Sequence, residues 1–119
     1  MDIQNYNNSK VRAFRKTVSL ASQASGSVID LFTLPKGCVP ILGVINASVS
    51  LATATIKIGN ASDDDKYRAA AVHTATASTV FGEGMGNALS ADEKVILTTG
   101  TAALPASGTL EINILCSTI

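Results

Sequence analysis

The sequence has no tryptophan, one histidine, two cysteines, three prolines and only five aromatic residues in 119. So few rings argue against a sugar-binding platform of stacked aromatics, which needs several broad faces side by side. A single histidine cannot supply the several imidazoles that a cupin-type metal centre requires. No apolar run approaches the roughly 20 residues that cross a bilayer as a helix. The opening MDIQNYNNSK has no hydrophobic stretch of the secretory kind. A soluble product of a cytoplasm, with no membrane partner, is the expectation. Charged residues are sparse at 15%, and the formal net charge is zero.

What is present is small and aliphatic: 41 of the 119 residues are Ala, Ser or Thr, and the hydrophobic fraction is 46%. At this length the chain makes one domain with one core. Small and branched aliphatics suit two thin sheets packed face to face.

The chain is organised around residues 28–59. Val28 to Leu34 reads as a strand that is apolar on both faces, ended by Pro35-Lys36-Gly37. Cys38 to Ala47 is a second apolar run, rich in β-branched residues. Its Pro40 removes a ladder hydrogen bond, so that end belongs at a sheet edge or a bulge. Thr53 to Gly59 alternates cleanly, with Ala54, Ile56 and Ile58 turned to the core. Further strands are expected over Val11 to Ala21, Lys94 to Thr99 and Thr109 to Ser117. His73 to Ser78 reads as a weak edge strand, and Tyr67 to Val72 as a short helical turn after a Ser62–Asp65 cap. Seven or eight short strands separated by turn signals favour an all-β fold, an antiparallel sandwich.

Charge is unevenly distributed. Residues 1–17 carry a net +3 from Lys10, Arg12, Arg15 and Lys16 against Asp2, and the remainder carries −3. The expected organisation is a flexible basic arm over residues 1–17, with an Asn-rich start, ahead of a β-sandwich domain over 18–119. The plain reading of the cations is a solvated strand; the functional one is a segment that docks on an acidic neighbour, a second copy included. Four cations with two nearby aromatics make a weak nucleic-acid footprint.

No catalytic set emerges. His73 has no local nucleophile or orienting carboxylate, which points to a structural or surface role. Asp63, Asp64 and Asp65 lack the alternation of a calcium loop and read as a solvated loop. Gly82, Gly84 and Gly86 fit neither phosphate-binding pattern. They make a loop whose Phe81 and Met85 offer apolar contact surface. Cys38 and Cys116 lie in apolar settings and read as two reduced, buried thiols. No cofactor and no metal is called for.

The order of residues 28–71, with its ATIKIG strand, Asp-rich loop and following tyrosine, then a Gly-rich loop, then residues 92–115 with a late ASGTL strand, resembles small structural proteins of tailed bacteriophages and prophages. It is most similar to capsid decoration or cement proteins. That resemblance spans about residues 18–118 and implies a jelly-roll-like sandwich on the capsid surface of a virion, made in the host cytoplasm. It implies the major capsid protein as partner and self-association, often as a homotrimer. A phage tail, fibre or baseplate sandwich that binds a host surface is the alternative, with recognition in the loops 60–66 and 81–87. An enzyme is the remaining alternative.

Overall fold

In the computed structural model, residues 10–82 and 85–118 are described. Eight strands follow one another: β1 (Lys10–Ser19), β2 (Val28–Leu34), β3 (Val39–Ala47), β4 (Thr55–Gly59), β5 (Arg68–Val72), β6 (Thr79–Phe81), β7 (Glu93–Gly100) and β8 (Thr109–Thr118). They form two four-stranded antiparallel sheets, ordered β1-β8-β3-β6 and β2-β7-β4-β5. From β1 to β4, consecutive strands alternate between the sheets, which is the jelly-roll winding. The all-β sandwich expected from the residues is therefore the observed fold. The run 28–59 supplies three successive strands, β2, β3 and β4, the middle one in the opposite sheet.

The core is the meeting of two alternating strands. On β8, Leu110, Ile112, Ile114 and Cys116 are fully buried, and on β7 so are Val95 and Leu97. Ala54, Ile56 and Ile58 close the same core from the second sheet, and Leu31, Leu34, Ile45 and Ala47 fill its flanks. Each such aliphatic contributes about 1.5–3 kcal/mol when removed from water. Pro40 is accommodated by a shift in register between Pro40 and Leu42 against β8, as a proline inside a run requires.

Four expectations are corrected. Tyr67 to Val72 is not a helical turn. Arg68–Val72 pairs with β4, because sheet hydrogen bonds outweigh the weak helical preference of three alanines. The register shifts there between Ile56 and Ile58. The Arg68 guanidinium spans the irregularity by donating to the carbonyls of Ile56, Ala71 and Val72. Nor does Ser62 cap a helix: Asn60 Oδ1 accepts the N–H groups of Ser62 (2.9 Å) and Asp63 (2.7 Å), an Asx turn. The alternation over His73 to Ser78 produces no strand. Here the chain leaves the second sheet for the first, the His73 carbonyl accepting from Leu51 N–H (3.0 Å), and pairing resumes in β6. Finally, Lys10 to Thr17 are not an arm ahead of the sandwich. Every residue from Lys10 to Ser19 has a register partner on β8. The other part of the expected arm, residues 1–9, lies outside the described residues, as do Gly84 and Glu83.

Gly43 on β3 is required by packing. A Cβ there would enter the ring of Phe81, its register partner on β6. Gly43→Ala is expected to cost about 1–3 kcal/mol by overpacking, and Phe81→Ala about 3–5 kcal/mol by cavity formation. Denaturant titration of both variants and of the double variant should give a combined loss smaller than the sum. Strict additivity would contradict the contact.

Candidate functional site

The most developed polar cluster lies where β7 begins. Its inward row runs Glu93, Val95, Leu97, Thr99, so the strand's alternation delivers a carboxylate to the end of the core. Three donors meet it: Asn60 Nδ2 and Lys66 Nζ reach Oε1 (both 2.7 Å), and the Tyr67 hydroxyl donates to Oε2. Burial alone would lift the Glu93 pKa, but the hydrogen bonds from Lys66, Tyr67 and Asn60 outweigh it and hold the carboxyl below its ordinary 4.5. Tyr67 is fully buried. Burial first, and then the Glu93 contact, push its phenol far above the usual range, so it stays a donor.

Beside this cluster is a cleft of about 520 Å³, lined among others by Pro40, Asn60, Lys66, Leu89, Glu93 and Ile96. Asp92 at its rim accepts the Lys36 N–H (2.7 Å), tying the β2–β3 turn to the approach of β7. Within the cleft Glu93 accepts from three donors of its own chain, and Lys66 is ion-paired to it. These groups brace a joint between loops; none is poised to give or take a proton. Among the described residues, no three of His, Cys, Asp and Glu converge as metal ligands.

Of the basic residues singled out in the sequence, Lys10, Arg12 and Lys16 share the inward-turned row of β1 with Phe14 and Val18, but are exposed because β1 is an edge strand. Arg12 lies over the Phe14 ring at 5.6 Å, and Phe14 meets Phe32 of β2 at 6.1 Å. Arg15 points the other way and pairs with Glu111 (2.8 Å). The structure thus gathers three of the four cations along the open β1/β2 edge. Phe81, expected at a loop tip, is buried against Gly43, and Met85 is half-buried on the same core. Neither extends freely into solvent, because β6 brings Phe81 into the sheet.

Cys38 and Cys116 are buried free thiols. Burial, and then the adjacent Cys38 thiol, push Cys116 up to about 12, which leaves it unreactive at neutral pH. His73 is buried, and its Nε2 has no hydrogen-bond partner. Burial and then Arg68 hold its pKa below 6.5.

Sequence reasoning missed Glu93, Tyr67 and Asn60. The available signal was a glutamate two residues before Val95, in the inward row, in a chain whose Tyr67 closely follows an Asn60 suited to an Asx turn.

Two acid-side effects of opposite origin follow. The unfolded chain protonates His73 near 6.5 while the folded one resists, so stability falls as pH drops from about 6.5 towards the lower folded pKa. Glu93 has a depressed folded pKa, so its contribution is complete above 4.5 and is lost as pH falls through the folded value. Unfolding free energies measured from pH 8 to 3 should lose the upper step in His73→Gln and the lower step in Glu93→Gln. Glu93→Gln should also cost about 1–3 kcal/mol at pH 7 by unpairing Lys66. Unchanged profiles would contradict both assignments.

No family model matches this chain, and no curated protein matches its sequence. Its fold does match. A chain of the cyanophage Pam1 capsid asymmetric unit superposes with a TM-score of 0.79 at 15% identity, covering 94% of this chain and 87% of that one. A chain of the acid-stable capsid structure of Helicobacter pylori bacteriophage KHP30 gives 0.70 at 11% identity, over 91% and 87%. One from the capsid of Ralstonia phage GP4 gives 0.71 at 17% identity, over 90% and 83%. At the level of fold, the resemblance to phage structural proteins drawn from the residues holds: this sandwich is similar, over nearly its whole length, to chains in three phage capsid structures.

Proposed function

We propose that the chain is a non-enzymatic structural protein of a bacteriophage virion, which binds the capsid surface, self-associates there and stabilises the shell. The observation that carries this reading is the near end-to-end fold match to chains of three phage capsids, with little of either partner left over. A rigid sandwich bounded by satisfied polar joints suits that work. Stabilising a shell needs surfaces of fixed shape, repeated by symmetry, so that many modest contacts add to a large avidity. The cleft beside Glu93, its carboxylate fully occupied by its own chain, fits a brace better than a reaction centre.

The test is reconstitution. Purified protein added to undecorated heads of the phage that encodes it should bind at saturating, symmetry-related copy number and raise the temperature at which the heads release DNA. Heads that take up none of it would remove the reading. Density for labelled protein on the tail instead of the head would replace it with a tail, fibre or baseplate role.

A further inference from the structure

The sandwich has two open sides, and they differ in charge but not in greasiness. Among the described residues, five large apolar side chains are strongly exposed, and four of them lie on the four edge strands. Val11 of β1 (66% exposed) and Val28 of β2 (60%) belong to one edge, and Val72 of β5 (53%) and Val80 of β6 (68%) to the other. The β1/β2 edge adds Lys10, Arg12 and Lys16, all exposed and without an ion pair among the described residues. The β5/β6 edge is uncharged along residues 69–82. At its end, in the β4–β5 loop, Asp63 and Asp65 are exposed without an ion pair, Asp64 alone being neutralised by Lys57 (2.8 Å).

The strand rows put Lys10 and Arg12 at one level with the acidic loop. Lys10 is opposite Thr118, next to the row in which Ser117 lies between Val11 and Val39, so Lys10 lies at the end where β3 begins. The acidic loop follows Gly59, and its Asn60 lines the same cleft as Pro40. Lys10 and Arg12 therefore share one end of the sandwich with the carboxylates, on the opposite edge, whereas Lys16, opposite Ile112 and so level with Ile45, lies toward the other end. The outer face of the second sheet contrasts with both: it carries the ion pairs Lys94–Asp30 and Lys57–Asp64 (each 2.8 Å), as a solvated face does.

We propose that the β1/β2 edge of one copy docks against the β5/β6 edge of a second copy, valines to valines, with Lys10 and Arg12 facing the partner's Asp63 and Asp65. The occupant is a second copy because the two edges complement each other in charge and in apolar content. Like edges would not pair, since β1 against β1 opposes cation to cation, the arrangement by which edge strands avoid self-pairing. Two different patches make a heterologous contact, which closes into a ring when the rotation allows. The edges serve the self-association in the function proposed above, and they can be tested without any capsid.

The experiment is analytical ultracentrifugation of the full chain and three exposed-site variants, each checked for an unchanged circular-dichroism spectrum. Wild type should self-associate, and more weakly in 1 M than in 0.1 M NaCl, where the screening length falls from about 10 to about 3 Å. Lys10→Glu with Arg12→Glu, or Asp63→Lys with Asp65→Lys, should each weaken association about ten-fold or more. Mixed in equal amounts, the two reversed proteins should associate again, as heterodimers. Val80→Ser, which changes no charge, should weaken association as well. Wild type that stays monomeric to about 1 mM, or reversed variants that associate like wild type and gain nothing on mixing, would overturn the proposal. Monomeric protein that still decorates heads would overturn it and leave the capsid reading standing; association without head binding would do the reverse.

Discussion

The structure depends on the burial of one face of β8 against one face of β7. Both are inner strands, as are β3 and β4, and their alternating aliphatics meet in the middle of a thin core. A core of Leu, Ile and Val with almost no rings has little slack. Interiors pack at crystal-like density, so a bulky group fits only where a neighbour gives up volume. Phe81 is admitted because Gly43 opposite it has no side chain. The inward rows also fix register, since a slip by one residue would turn Ile112 and Ile114 to water.

At the end of this core the aliphatic solution stops and a polar one takes over. Glu93 continues the inward row of β7 past Val95, and the loop between β4 and β5 folds back to supply Asn60, Lys66 and Tyr67. A buried carboxylate is tolerable only when its lone pairs are occupied, and here its own chain occupies them. The result is a stiff corner that ties the acidic loop to the sheet.

Much of this fold was legible in the sequence because alternation is a local signal. The row Ala54, Ile56, Ile58 and the row Leu110, Ile112, Ile114, Cys116 announce both strand type and buried face, and Pro40 announces its own bulge. What was not legible is non-local. Arg68–Val72 looks helical on its own, and only the open edge of β4 makes it a strand. Lys10 to Thr17 look like a charged arm until β8 is known to lie alongside. The Glu93 cluster joins residues 60, 66, 67 and 93, and no spacing along the chain reveals that the winding brings them together. Phe81 looked like a loop tip because its receptor, Gly43, is nearly forty positions earlier.

The winding also governs when this polypeptide can become a protein. β8, the middle of the first sheet, follows every other strand in the chain, and β1 has no neighbour until Thr109–Thr118 exist. Until β8 exists β1 has no strand to pair with, and β3 has only β6. Distant pairings of this kind exact their loop-closure entropy before any contact repays it, and they fold slowly for that reason. Completion of the first sheet is therefore a single late event, and until then the cations on β1 discourage pairing of its open edge with another chain.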